Sequence, residues 1–380
     1  MYKILLIAAS LVASLPTFAQ KYSNEFLSIP VGARAQAMGG ANIASVQDAT
    51  AGFWNPAGLT GVELDMQLAA MHNEWFASIG RYDYVGIAAP LADRSRYLGF
   101  SFIRFGVDKI PNTLSLYESD GTINYNNVTT FNAADYAFMF HYAQSFDSIG
   151  LSIGATAKVV HRKIGPFATA WGFGVDLGAQ YRKGDWRFGL MLKDITTTFN
   201  AWSFNFTDDE KETLNLTGND VPIQSMEITR PTIGMGFAYI KDFKLGTPKE
   251  GKKQKYFGLT AEIDLNFTTD GRRNTLISAS PFSIDPTMGL ELHYNNLIFL
   301  RGGVNNIQQF KDISDNQKWA VQPNFGVGFR IYKFYVDYAL GMNAGGAIID
   351  NSQGAVLSHL VSLKIDIDFK YIKKALDDES

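Results

Sequence analysis

The chain has 380 residues, 46% of them hydrophobic, a formal net charge of −3 and no cysteine. A bundle of helices in lipid would be far more apolar, and a nearly neutral chain offers no broad electrostatic attraction for nucleic acid. Without thiols, an exported form has no disulfide framework and is held by strand pairing or by its own core.

In chain order, the first element is a leader. Lys3 gives a positive start, Ile4 to Leu15 are largely apolar, and Thr17-Phe18-Ala19 is a small-x-small cleavage site before Gln20. Residues 1–19 are therefore expected to be a signal peptide, since the apolar stretch is too short to cross a bilayer. No later run approaches the roughly 18 apolar residues of a helical span, so an exported chain that crosses a membrane does so with strands. Residues 20–64 differ in kind from the rest of the chain. Phe26 to Ala41 and Asp48 to Leu59 are rich in small residues, lack strand parity and include an Asn55-Pro56 step, which predicts compact coil or short helices. Ahead of a barrel, such a segment folds into the lumen as a plug; as a loose tail it would expose Met38, Phe53 and Trp54.

From Asp65 to Phe369 the pattern has a period of two. In Leu259-Thr260-Ala261-Glu262-Ile263-Asp264-Leu265-Asn266-Phe267 the odd positions are apolar and the even ones polar. Side chains two apart share a face, so such a strand separates oil from something wet. The predicted strands are Met66 to Ala77, Arg81 to Leu91, Tyr97 to Val107, Asn132 to Gln144, Ile149 to Arg162, Thr169 to Arg182 and Asp185 to Asp194. They continue with Pro231 to Phe243, Tyr256 to Phe267, Pro286 to Asn295, Leu297 to Asn306, Val321 to Tyr332, Phe334 to Met342 and Ala355 to Phe369. The fold class is thus all-β: an antiparallel transmembrane outer-membrane barrel of about 14 strands, occupying 65–369, with an N-terminal lumen plug. A periplasmic β-sandwich also alternates, but strands of half this length would suffice for it.

The links support the barrel. Asp147-Ser148, Gly184, Asn296 and Lys333 mark tight reversals, whereas Asp108 to Phe131, Ile195 to Arg230, Thr268 to Asp285, Ile307 to Ala320 and Asn343 to Gly354 read as long loops. Short periplasmic turns alternating with long outer loops place both chain ends in the periplasm. The turn Lys244 to Lys255, with Lys249, Lys252, Lys253 and Lys255, reads as solvated, and 370–380 as a periplasmic tail.

Lys158, Asp176, Arg182, Arg187, Glu262, Asp264, Glu291, Arg330, Asp337, Lys364, Asp366 and Asp368 fall on the polar parity, and a barrel turns such groups inward, because basic residues at mid-bilayer cost about 2 to 4 kcal/mol. Glu262 and Asp264 stand two apart, the spacing of an acid/base pair but equally that of any polar wall. Gly150-Leu151-Ser152-Ile153-Gly154 matches the nucleophile-elbow pattern without the strand-to-helix turn that chemistry needs. The five histidines are scattered. No catalytic residue, metal or cofactor is expected.

Two groups of residues are candidates for function. In the Ile195 to Arg230 loop, Trp202, Phe204 and Phe206 lie beside acidic Asp208, Asp209, Glu210 and Glu212, and aromatic anchors in a polar rim suit a protein partner. The same three rings also suit an aromatic girdle at the lipid interface or packing on the barrel rim. The second group is Gly32, Ala33, Arg34, Met38, Gly39, Gly40, Asp48, Trp54, Asn55, Pro56 and Ala57. The order G-A-R-A-x-x-M-G-G-A followed by D-A-x-A-x-x-W-N-P-A-G-L resembles the N-terminal signature of the PorV/PorQ family of Bacteroidetes outer-membrane proteins, itself similar to the FadL-type fatty-acid transporters. The resemblance implies a plugged FadL-like barrel in type IX secretion, with a translocon and cargo bearing C-terminal sorting domains as partners. The alternative is a transporter of hydrophobic small molecules, with a hydrophobic ligand or lipid as partner. A pocket lined by apolar groups near Met38, Phe53 and Trp54 would favour the transporter.

Overall fold

The computed structural model describes residues 23–118, 121–223, 225–248, 253–269, 271, 273–279, 282–311, 317–343 and 356–370. The leader read over 1–19, Lys249 and Lys252 of the basic turn, most of the loop Asn343 to Gly354 and the tail beyond Lys370 lie outside the described residues.

Among the described residues seventeen strands form one antiparallel sheet: β1 (Met66–Trp75), β2 (Gly80–Pro90), β3 (Arg96–Asn112), β4 (Thr129–Phe146), β5 (Leu151–Ile164), β6 (Ala168–Lys183), β7 (Trp186–Lys193), β8 (Thr198–Phe204), β9 (Ser225–Thr229), β10 (Thr232–Leu245), β11 (Lys255–Thr268), β12 (Ile277–Ser278), β13 (Ser283–Tyr294), β14 (Ile298–Lys311), β15 (Gln317–Ile331), β16 (Phe334–Asn343) and β17 (Val356–Ile367). Leaving out β8, β9 and β12, fourteen strands pair with their neighbours around a closed barrel. The ring closes where β1 meets β17, from Met66 opposite Ile367 to Glu74 opposite His359. Closure matters because an open edge would leave backbone groups without partners in hydrocarbon.

Parity sets the two faces. On β6 the odd positions point out, with Phe173 63% exposed, while even-numbered Asp176 is 2% exposed. On β11 Ile263 is 44% exposed between Glu262 and Asp264, both essentially buried. Phe237, Leu290, Leu300, Phe325 and Val361 continue the apolar exterior. Some ionisable groups break the pattern. His72, Glu74, Asp83 and Arg104 lie on the outer parity, where His72 Nδ1 and Arg104 Nη1 approach the Asp83 carboxylate at 2.7 and 3.4 Å. His72, Glu74 and Asp83 stand close to the β1–β2 turn, at a rim where headgroups and water hydrate charge.

Three sequence expectations change. A few strands were expected to overhang the 9 to 11 residues of a bilayer crossing, and β4 does, from Thr129 to Phe146, but the expected loop Ile307 to Ala320 is largely β14 and β15. The expected loop Ile195 to Arg230 holds β8, the helix α1 (Asp208–Leu216) and β9. This helix begins with a capping box, Thr207 receiving the Glu210 N–H while the Glu210 carboxylate receives that of Thr207. Lastly, Ser23, the first described residue, is at the long-loop mouth instead of the short-turn end, because Ser23 and Asn24 bond to Asn200 and Thr229. Polar residues of the β8–β9 hairpin hold this end inside the mouth. The other end agrees with expectation, with the Phe369 N–H donating to Asp65 at the short-turn end.

Ile263→Arg, half-way along β11 on the exterior, is expected to lower stability in lipid vesicles by about 2 to 4 kcal/mol, measured by reversible denaturant unfolding. An unchanged stability would place that face in water.

Candidate functional site

Residues 23–62 fill the lumen. Two short helices, α2 (Ala33–Ala37) and α3 (Ala51–Trp54), and 3-10 turns at Glu25–Ser28 and Pro56–Gly61 are joined by coil. So short a chain cannot satisfy its own amides, and the wall supplies their partners. The N–H groups of Asn42 and Ile43 donate to Asp264 Oδ2 at 2.7 and 3.0 Å, and those of Ala44 and Ser45 to Glu262 Oε1 at 2.7 and 3.3 Å. A net contribution of about 0.5 to 1.5 kcal/mol per hydrogen bond lets these four amides together moor the plug to β11. The acid/base spacing of Glu262 and Asp264 thus serves attachment.

Most signature residues have a task. The Gly32 N–H donates to Met71 Sδ at 3.0 Å, at a φ of 91°. Arg34 Nε donates to Glu291 Oε2 at 3.0 Å, Nη2 to Ser45 at 3.0 Å, and Nη1 to Asn42. Burial pushes the Arg34 guanidinium down, but Glu291, Glu262 and Asp48 outweigh that and hold it above its usual value. Asp48 pairs with Lys364 at 2.6 Å. Burial raises its carboxyl, yet the Lys364 charge and hydrogen bonds from Lys364 and Thr50 hold it at about 2. Trp54 Nε1 donates to the Val31 carbonyl at 2.8 Å. Asn55 Nδ2 bridges the carbonyls of Ile43 and Ala179 at 3.0 Å each, while its Oδ1 receives the Ala57 N–H at 3.2 Å. Pro56 starts the 3-10 turn, where its missing N–H costs nothing.

Inward glycines give the plug its space. A Cβ on Gly189 would lie 2.6 Å from the Ile43 carbonyl, and one on Gly289 2.6 Å from that of Met38. Gly39 is both at a φ of 66° and pressed against the Val304 backbone, so it answers to conformation and to space. Met38, fully buried, sits against Gly289 and Gly303. Ser152 of the elbow-like motif lies within β5, 2.9 Å from Thr60 of the plug.

Above the plug, toward the long-loop mouth, is a cavity of about 670 Å³. Its floor carries Phe53 and Trp54, edge to face at 5.3 Å between centroids, with Met139 and Met191 beside them. Lys193 Nζ stands 4.6 Å from the Phe53 centroid, a cation-π distance. Lys158, buried below, pairs with Asp176 and Asp194 at 2.8 and 2.7 Å. At this level the wall is irregular. Pairing of β6 passes from Leu177 opposite Leu192 to Phe173 opposite Phe199, so 174–176 face 193–198, with Asp194 and Thr197 at positive φ.

The structure does not join the aromatic trio to the signature. Trp202 and Phe204 belong to β8, not to a loop, and Phe206 continues the row; their rings stack at 6.2 and 6.4 Å. They share the face of Asn200, whose Nδ2 donates to Asn24 at 2.9 Å, so the row looks inward and is no lipid-facing girdle. Trp202 Nε1 donates to Glu227 at 3.2 Å, and the Arg162 guanidinium lies 5.1 Å over its ring.

Asp48→Asn is expected to weaken plug docking by about 2 kcal/mol, because Lys364 loses its counter-charge. In planar bilayers the variant should open to a larger conductance at neutral pH far more often than the parent. The parent's pair is complete above the ordinary carboxylate value of 3.8 and is lost as pH falls through about 2, so it should match the variant only in that acid range.

No protein-family model and no curated protein sequence matches the chain. Solved structures do. The Ralstonia pickettii toluene transporter TbuX aligns over 89% of this chain and 98% of its own, at 13% identity and a TM-score of 0.52. The Pseudomonas putida toluene transporter TodX covers the same shares at 13% identity and a TM-score of 0.51. A Pseudomonas aeruginosa FadL homologue aligns over 89% and 99%, at 12% identity and a TM-score of 0.50. The chain therefore has the fold of the FadL-like outer-membrane barrels.

Proposed function

We propose that the protein is an outer-membrane transporter of hydrophobic small molecules. The cavity over Phe53 and Trp54 carries this reading: it is of ligand size, opens toward the long-loop mouth, and has an aromatic and thioether floor on the plug. It also reaches Lys193 and Asp194, where the wall pairing is irregular, the place in this wall where a sideways exit toward the bilayer would form. The toluene transporters and the FadL homologue that share the fold support the same direction.

Secretion of cargo through a type IX translocon is the second reading, and the signature over Gly32 to Ala57 is what favours it. Those residues are engaged in building and mooring the plug, a task common to any plugged barrel of this fold. In that reading partner contact falls to Trp202, Phe204 and Phe206, whose rings are committed to the inner face of the β8–β9 hairpin.

Radiolabelled toluene should enter Gram-negative cells producing the chain several-fold faster than cells without it. Equal rates, together with exported proteins bearing C-terminal sorting domains co-purifying from native membranes, would reverse the order of the two readings.

A further inference from the structure

The cavity has two unlike sides. Phe53, Trp54, Met139 and Met191 form one. The other is the inner face of β11 and β13, where Asn266 stands opposite Asp285 and Thr268 opposite Ser283, one step above the Asp264 mooring opposite Thr287. Three buried oxygens on this side have no hydrogen-bond partner among the described residues: Thr268 Oγ1, Asp285 Oδ1 and Thr287 Oγ1. A fourth, Gln36 Oε1, comes from the plug, whose Gln36 Nε2 is fixed on Asn324 at 2.6 Å. All four residues line the same cavity, and Gln36 and Thr287 are 2% and 6% exposed.

Unpartnered groups scattered through a wall would carry little meaning. Here they converge on one space, and two of them, an amide oxygen and a carboxylate oxygen, only accept. They are buried without partners in the structure as it stands, at about 1 to 3 kcal/mol each, and a pure hydrocarbon in the cavity would leave them so. A hydroxylated ligand would answer them while its carbon skeleton lies on Phe53 and Trp54. Threonine hydroxyls, able to donate or accept, tolerate either polarity of the arriving group.

We infer that the cavity selects amphiphilic ligands bearing hydroxyl donors, with an aromatic or aliphatic body on the Phe53 and Trp54 side and the hydroxyls toward Gln36, Asp285 and Thr287. This rests on the transport reading and narrows it, since the site then discriminates against plain hydrocarbons of the same skeleton. A site that hydrogen-bonds a ligand hydroxyl rejects the analogue lacking it more strongly than an apolar pocket rejects a methylene.

Toluene and 3,5-dihydroxytoluene share a skeleton and differ by two hydroxyls. Equilibrium dialysis of the full chain in lipid nanodiscs, with empty nanodiscs as the blank, should show the diol bound about tenfold or more tightly than toluene, as one well-made hydrogen bond to a charged or buried group provides. Thr287→Val keeps the side-chain shape and breaks no existing hydrogen bond; it should remove most of the diol's advantage and leave toluene binding unchanged. Asp285→Asn, which keeps the size but changes the acceptor, should also reduce it. Equal affinities for the two probes, or a diol preference that survives both substitutions, would overturn the inference while leaving transport standing. Binding of neither probe by the folded parent would overturn the transport reading and this one together.

Discussion

Asp264 and Glu262 accept hydrogen bonds from four consecutive plug amides, Asn42 to Ser45, and much else in the molecule is arranged around that contact. A barrel wall in lipid must turn its charges inward, and a lumen lined with charges is stable only if they are hydrated or paired. The plug is a short coil with too little regular structure to use its own amides. Wall and plug therefore each supply what the other lacks. Arg34 with Glu291, and Asp48 with Lys364, repeat the arrangement with side chains at both ends.

The same mutual dependence explains why small residues dominate both partners. For its amides to reach carboxylates only two or three bonds from the wall backbone, the plug must approach closely. Gly189, Gly236 and Gly289 on the wall, and Gly39 on the plug, allow that approach, since a Cβ at any of them would fall inside 3 Å of the opposing chain. Glycine weakens strands when it is merely present. In this barrel the loss is offset by packing against the lumen contents, so the strand glycines belong to the docking surface as much as to the strands.

Much of this was legible in the sequence. Period-two alternation over Asp65 to Phe369 gave the strands and their faces because lipid enforces parity without exception at mid-depth, as at Ile263 between Glu262 and Asp264. The plug was legible because its motif is a run of glycine, alanine and the Asn55-Pro56 step that fits no strand. What was not legible depends on three-dimensional register. Nothing local shows that Trp202 and Phe204 continue the wall as β8, since their strand is offset from β7 by the irregular stretch 194–197. Nor does parity reveal that the N-terminal part of the plug enters from the long-loop mouth, which is set by contacts of Ser23 and Asn24 with residues about 180 to 200 positions away. The cavity's polar side was equally hidden, because Gln36, Asp285 and Thr287 come from separate segments.

The chain has no native cysteine, so a pair introduced into it reports a single contact. Ser23 of the plug and Thr229 of β9 place their hydroxyl oxygens 2.9 Å apart, so thiols can replace both without adding a Cβ to either position. Ser23→Cys combined with Thr229→Cys, oxidised in intact outer membranes and followed by gel mobility of the denatured chain, tests directly whether the plug runs through the lumen to the long-loop mouth. A rapid, nearly complete intramolecular crosslink is expected, which neither single variant forms. A folded, membrane-embedded double variant that stays reduced would place residues 23–62 elsewhere and contradict the account.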